Sequence, residues 1–286
     1  MNKKKLSFKN RFKLVRNSTK RDKVSCEFFE FYKNKKIKYS NFKKFHNSLK
    51  NPRIICTINF GRVGSQYFFE KLNKKLDLIC GPNLFNKRNK KKFSKHKNFE
   101  DFLFYNLKKI KYNNVIFFEI SPKRFLKLIE FLEIKIIRKI NFHVLYRKNK
   151  FEQTLSYLIA MNSGVWSNFD EFYNVGLNKN INYIKIKSKL NEILKNIIIF
   201  EKKIYTFLKM HNFNYSKNNY ENIVKKNSYE VNKFIKFYNL KNKSSKKKIY
   251  KNYIIKNIYA KKYYKILKEF KNDSYKKLNF KNRSLF

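Results

Sequence analysis

Short apolar runs separated by longer amphipathic stretches are the main pattern of this chain. Three runs have the length and the β-branched or aromatic character of buried strands: Ile54 to Ile58, Val115 to Ile120 and Phe142 to Arg147. A fourth, more polar run extends from Tyr215 to Tyr220. We predict a β-strand at each of these four positions.

The stretches between the runs show helical spacing. Phe68, Leu72 and Leu76 recur every four residues, which places them on one face of a helix. Comparable stripes predict further helices over 98–111, 122–132, 151–161, 188–211, 229–240 and 250–270. Strands that alternate with helices predict an α/β fold of three layers, with a mostly parallel central sheet and helices on both faces.

The length of 286 residues is sufficient for one large domain with a full hydrophobic core. We predict a basic N-terminal extension over 1–51, a core domain over 52–240 and a basic helical segment over 241–286 that packs on the core. The hydrophobic content of 42% excludes a chain that is disordered throughout.

The net charge of +51 comes from 70 Lys and Arg against 19 Asp and Glu. One interpretation is binding to RNA or to an anionic membrane surface, because lysines that neutralise phosphates release counterions. The other is compositional drift, since Lys, Asn, Ile, Phe and Tyr all have AT-rich codons and the lysines are spread over the whole chain. We expect no specific nucleic-acid partner, and attraction of anionic ligands as a by-product of the charge.

Three cysteines (Cys26, Cys56 and Cys80) do not pair evenly and form no CxxC motif. A reduced, cytoplasmic protein is the simplest interpretation. The basic N-terminus lacks the apolar segment of a signal peptide, and no apolar stretch reaches the roughly 18 residues of a membrane span.

A glycine-containing turn, Asn59 to Gly64, joins the first predicted strand to the helix that carries Phe68. Gly61 and Gly64 allow a tight turn and a close approach of the backbone to a ligand. The N–H groups of the first helical turn attract an anion, and side-chain donors add to them. We expect the anion site to comprise Gly61, Arg62, Val63, Gly64, Ser65 and Gln66.

This turn is not a Walker A loop, because the GxxxxGK[ST] spacing is absent. The missing Gly-Lys-[ST] also argues against a nucleotide kinase. Arg62, Glu119 and Arg147 follow or end three different predicted strands. The carboxyl ends of parallel strands meet at one edge of a sheet, so we expect these three residues to converge.

The Gly-Arg-x-Gly-Ser core of the turn resembles the 5′-phosphosulfate loop of sulfotransferases, enzymes with a P-loop-like fold. Leu145 to Trp166 resembles their 3′-phosphate segment, and is closest to the trehalose-2-sulfotransferase-like bacterial group, with Gln153, Ser156 and Ala160 in register. Tyr220-Glu221-Asn222-Ile223 is similar to their YEDL element. The matches lie in the right order and cover roughly residues 52–240.

The resemblance implies transfer of a sulfuryl group from 3′-phosphoadenosine 5′-phosphosulfate (PAPS) to a hydroxyl of a carbohydrate, glycolipid or other small molecule, without a metal. Arg62 would stabilise charge on the leaving 5′-phosphate. Ser156, with either Arg147 or Lys148, would hold the 3′-phosphate, helped by the N–H groups of a helix N-terminus.

The acceptor hydroxyl needs a base, and the sequence offers two candidates. Glu119-Ile120-Ser121-Pro122 resembles the Glu-Lys-[ST]-Pro element of heparan-sulfate-type sulfotransferases, in which the Glu is the base. The trehalose-type group has a Gly-Glu-Pro-x-Glu segment after the first helix, but the corresponding residues 80–84 of this chain contain neither glutamate. We therefore expect Glu119 to be catalytic, unless it only pairs with a nearby lysine. His96 is the reserve base or a substrate contact, and Trp166 stacks on a ring of the substrate or packs under its loop. His143 is expected in the core.

Overall fold

The computed structural model describes residues 36–76, 95–163, 183–225, 227–241 and 265–273. Five strands and ten helices occur in these ranges. In chain order they are α1 (Tyr39–Ser48), β1 (Arg53–Asn59), α2 (Ser65–Leu76), α3 (Phe99–Lys109), β2 (Lys111–Tyr112), β3 (Val115–Ile120), α4 (Pro122–Phe131), α5 (Ile134–Ile137), β4 (Ile140–Tyr146), α6 (Lys150–Ser163), α7 (Tyr183–Met210), β5 (Tyr215–Asn219), α8 (Tyr220–Lys225), α9 (Asn227–Phe237) and α10 (265–273).

The sheet has the strand order β2-β3-β1-β4-β5. Strands β3, β1, β4 and β5 are parallel, and β2 pairs antiparallel with β3 at one edge. The predicted α/β fold with a mostly parallel sheet is therefore confirmed, and so are its four strands. The two-residue β2 was not predicted, because it is too short to carry a periodic signal.

Helices pack on both faces of the sheet. The Phe142 ring in β4 lies 5.5 Å from Phe125 of α4, whereas the next residue, His143, lies 5.1 Å from Phe68 of α2. Because successive strand residues point to opposite faces, α2 and α4 cover different faces. Helix α7 contacts α4 and also α6, so the connection that follows β4 lies on the face opposite α2.

This topology places a crevice at the carboxyl ends of β1 and β4. The two strands are neighbours, but the helices that follow them leave toward opposite faces of the sheet. In open α/β sheets such a switch point is where ligands bind. The turn after β1 and the segment after β4 are the two segments that the sequence predicts to bind the ligand.

Two peripheral segments pack on this core. Residues 36–51, which the sequence assigns to the basic extension, contain α1, and Ile37, Phe42 and Leu49 are buried. Helix α10 contacts α6 through Phe270, whose ring lies 5.2 Å from that of Phe151. Most of the predicted extension and of the predicted C-terminal segment lies outside the described residues. Within the described ranges, every helix is too short or too polar to cross a membrane.

Candidate functional site

The turn after β1 has left-handed backbone geometry at three of its residues. The φ angles are +76° at Gly61, +54° at Arg62 and +71° at Gly64. Glycine adopts this region without penalty, but a non-glycine residue there is uncommon and is held by its surroundings. The sequence-based expectation of a tight glycine turn is confirmed, and Arg62 is strained within it.

Two aromatic rings and one amide hold this turn from outside. A Cβ added to Gly61 would lie 2.9 Å from the Tyr157 ring, and one added to Gly64 would lie 2.6 Å from the Tyr220 ring. The fully buried Gln153 of α6 donates from Nε2 to the carbonyl oxygen of Gly61 at 2.9 Å. The glycines are therefore required by close packing as well as by φ, and α6 is tied directly to the turn.

Arg62 joins the two segments that the sequence predicts to bind the ligand. Its Nε donates to Ser156 Oγ on α6 at 2.9 Å, across a separation of 94 residues. Both side chains are half-buried. A guanidinium and a hydroxyl in contact at the mouth of the crevice form a site that an anionic ligand can share between them.

Glu119 lies at the end of β3 next to the start of α2. Burial raises the pKa of Glu119, while hydrogen bonds from Asn59 and Ser65 and the charge of Arg124 act in the opposite direction. Asn59 Nδ2 also donates to Ser65 Oγ at 2.9 Å. The Ser65 side chain, which the sequence assigns to the anion site, thus accepts from Asn59 and also acts on Glu119.

Arg147 and Lys148 occupy different environments. Arg147 is buried and lies over the Tyr220 ring, 4.4 Å from its centroid, while its Nη2 donates to Glu152 Oε2 at 2.5 Å. Its Nε is buried and has no hydrogen-bond partner among the residues that the structure describes. Lys148 is exposed. Of the two candidate phosphate ligands, Arg147 is the one packed beside the glycine turn, through Tyr220.

Glu221 in the Tyr-Glu-Asn-Ile element binds the start of the segment after β4. Its carboxylate accepts from the backbone N–H groups of Asn149 at 2.9 Å and Lys148 at 3.1 Å. Partial burial acts to raise its pKa, but these two donors, its own backbone N–H and the charge of Arg147 together lower the pKa of Glu221. Asn149 Oδ1 accepts from Glu152 N at 3.1 Å. The backbone donors at Lys148, Asn149 and Glu152, near the N-terminus of α6, are thus already engaged by side chains of the protein.

The remaining candidates fall outside this cluster. The His96 ring packs on Phe102 and Tyr105 of α3, and none of its described contacts reaches the glycine turn. Trp166 and the side chain of Gln66 lie outside the described residues. His143 is fully buried, as expected, and bonds Thr57 Oγ1 at 3.0 Å and Asn218 Oδ1 at 2.8 Å.

Sequence reasoning missed several residues that build the site. Asn59 carried a signal, since asparagine before a glycine turn often bonds the backbone two residues on, and Asn59 Oδ1 does accept from Gly61 N at 2.8 Å. Tyr157 and Tyr220 act through contacts between distant segments, which no local pattern reveals, and Glu152 binds Arg147 from five residues further along the chain. An open groove where α7 ends and β5 begins lies at the opposite end of the strands and is lined in part by Lys209, Asn212 and Tyr215.

A scan of the chain against protein-family models finds no match, and a search of curated proteins finds none either. Within the part of the chain that the structure describes, no group of three or more His, Cys, Asp or Glu residues is arranged to hold a metal ion.

Proposed function

We propose that this protein is a P-loop-like sulfotransferase that transfers a sulfuryl group from PAPS to a hydroxyl of a carbohydrate or glycolipid. The observation that carries the proposal is the 2.9 Å contact between Arg62 and Ser156. These residues belong to the two segments that resemble the 5′- and 3′-phosphate elements of sulfotransferases. Both segments follow neighbouring parallel strands, and a side chain of one bonds directly to a side chain of the other.

The residues present fit an adenosine bisphosphate. The turn over 61–64 is left-handed at both glycines and at Arg62, and Arg62 supplies a positive charge there. Ser156 lies within reach of the same ligand, and Arg147 is held nearby by the Tyr220 ring. A charge-assisted hydrogen bond to a phosphate is stronger than a neutral one, which suits two guanidinium groups to a ligand with two phosphate groups.

Glu152 modifies the expected role of Arg147. Because Arg147 already donates to the Glu152 carboxylate, a 3′-phosphate must compete with that carboxylate or share the guanidinium with it. The N–H groups of Lys148 and Asn149 are likewise bound to Glu221. We therefore assign the main 3′-phosphate contact to Ser156 and Arg147, with no contribution from these two backbone N–H groups.

In the proposed reaction the acceptor oxygen attacks the sulfur atom of PAPS. A new S–O bond forms to the acceptor, the S–O bond to the 5′-phosphate breaks, and the hydroxyl proton passes to Glu119. The products are a sulfate ester and 3′-phosphoadenosine 5′-phosphate (PAP). Burial raises the pKa of Glu119, and this makes the carboxylate a stronger base at any pH at which it is still ionised. Arg62 stabilises the charge that develops on the leaving phosphate.

The direct test is transfer of labelled sulfate from PAPS to a panel of sugars and glycolipids, with release of PAP measured in parallel. We expect a labelled acceptor with the wild-type protein and at least about a 100-fold lower rate with Glu119→Gln. No transfer to any acceptor, together with no stimulation of PAP release, opposes the proposal. Equal rates for wild type and Glu119→Gln oppose the role of Glu119 alone.

The alternative function is a non-enzymatic protein that binds RNA or anionic membranes through its charge of +51. It predicts polynucleotide binding that falls steeply with salt and is indifferent to changes in the glycine turn. A cytoplasmic location is part of the proposal and rests on the three cysteines, which do not pair evenly and form no CxxC motif.

A further inference from the structure

Asn59, the last residue of β1, lies between the glycine turn and Glu119. Its Oδ1 accepts from the backbone N–H of Gly61 at 2.8 Å, and its Nδ2 donates to Ser65 Oγ at 2.9 Å. The Glu119 carboxylate accepts hydrogen bonds from the side chains of Asn59 and Ser65. One amide therefore contacts the turn, the first residue of α2 and the carboxylate at the end of β3.

The hydrogen-bonding capacity of these groups fixes how they are arranged. The Asn59 oxygen faces an N–H donor, so its Nδ2 must be the atom that faces Ser65 and Glu119. One N–H of Nδ2 is then used by Ser65 Oγ. The second N–H of Nδ2 and the hydroxyl hydrogen of Ser65 are left to act on Glu119, whose charged form both side chains favour. The amide cannot rotate without breaking bonds on both of its sides.

We propose that Asn59 is a positioning residue that holds the Glu119 carboxylate and the turn at Gly61 in one fixed arrangement. The inference rests on the proposed function, in which the turn binds PAPS and Glu119 accepts the proton of the acceptor. Register supports it: Glu119 pairs with Thr57 on β1, two residues before Asn59 and on the same face of the sheet. If one side chain holds the base to the turn that binds PAPS, the base keeps a constant distance from the sulfuryl group.

The groups that act on Glu119 have distinct effects on its ionisation. Asn59 and Ser65 donate to the carboxylate and favour its charged form, and Arg124 of α4 does so by attraction. Burial opposes all three and raises the pKa. Removal of either donor should therefore move the titration of Glu119 upward, and this readout does not depend on any enzymatic activity.

The test is a titration of Glu119 by NMR in protein that carries carboxyl-labelled glutamate, with the signal assigned by its loss in Glu119→Gln. Asn59→Leu and Ser65→Ala each remove one donor. We expect each to lower the acid dissociation constant of Glu119 by about ten-fold, the size of a hydrogen bond to a charged group. Asn141→Leu is the matched control, because Asn141 donates to Ile54 O at 3.1 Å at the opposite end of the strands. It should leave the titration unchanged.

PAP binding, measured by calorimetry on the same proteins, separates this inference from the proposed function. Asn59→Leu releases the Gly61 N–H, so we expect weaker PAP binding than in Ser65→Ala, which leaves the turn bonded. If the wild type binds no PAP, the proposed function fails while the titration still decides the role of Asn59. If Asn59→Leu does not fold, as judged by circular dichroism, the smaller change Asn59→Ala removes the same amide and takes its place. If Glu119 titrates in the folded variants as it does in the wild type, the inference is wrong.

Discussion

Gly64→Ala is the substitution for which the structure gives the clearest energetic expectation. Gly64 has a φ of +71°, and its added Cβ would lie 2.6 Å from Tyr220 Cδ2. A left-handed conformation costs an L-residue about 1–2 kcal/mol. Forcing a methyl group against a packed ring costs about 1–3 kcal/mol more. We therefore expect the free energy of unfolding to fall by about 2–5 kcal/mol.

Gly61→Ala is the comparator, because its φ is also left-handed but its Cβ would lie 2.9 Å from Tyr157 Cε2, at the outer part of a ring. This ring edge moves more easily than the inner Cδ2 of Tyr220, so we expect a smaller loss. Urea denaturation measures both variants. A double-mutant cycle with Tyr220→Ala then isolates the steric part, and we expect a coupling of about 1–3 kcal/mol between positions 64 and 220.

The reasoning on Gly64 is refuted if Gly64→Ala costs less than about 0.5 kcal/mol, the range of an ordinary surface change. It is also refuted if the cost is the same with and without the Tyr220 ring. Either result means that the turn is not packed as described.

Three further changes test other parts of the account. If Glu119 is the base, the rate of sulfate transfer should fall as the pH drops below the raised pKa of Glu119. Glu119→Gln should remove this pH dependence while PAP binding persists, and a variant that keeps the same dependence contradicts the assignment. Burial lowers the pKa of His143 from 6.5 to about 3. Between these two pH values the unfolded chain binds more protons than the folded chain, so the free energy of unfolding should fall as the pH drops below about 6.5. The fall is at most about 1.4 kcal/mol per pH unit from this group, and denaturation of His143→Gln at several pH values should show a flatter profile. Phe270→Ala should lower the free energy of unfolding by about 3–5 kcal/mol because the ring is fully buried. Ile184 is 76% exposed, so Ile184→Ala should change it by no more than about 0.5 kcal/mol. Similar values for the two variants in urea denaturation would mean that α10 does not stabilise the core.

The regular elements could be predicted because their signals are local. The strand that ends near Asn59 and the helix that carries Phe68, Leu72 and Leu76 follow from period and residue type alone, and all three helix residues are buried. The predicted start of the helix over 122–132 is confirmed, with Pro122 as its first residue. The four-residue α5 was not predicted, because it is too short to show a period.

The partners of the charged residues could not be predicted, because they come from distant segments. Glu221 binds the backbone of Lys148 and Asn149 from more than 70 residues away. Glu152 is close to Arg147 in sequence, but the resemblance assigned Arg147 to the 3′-phosphate and gave Glu152 no role. The sequence places the cations at the ends of strands, but it does not show which of them already binds a carboxylate of the protein.

The packing of residues 36–51 was hidden by composition. Lysines dominate this region, so the sequence suggested a basic extension. The buried positions Ile37, Phe42 and Leu49 are too few to stand out against that background. Their burial depends on contacts with α3 and with the end of α4, including the bridge between Ile37 and Leu132.

The most direct measurement is a calorimetric double-mutant cycle of PAP binding with Arg62→Ala, Ser156→Ala and the double variant. Because the two side chains are in contact and face one ligand, we expect the wild type to bind PAP, each single change to weaken binding at least about ten-fold, and the two effects not to add. Absence of PAP binding by the folded wild type, or equal binding by all four proteins, would contradict the proposal that these two segments form a PAPS site.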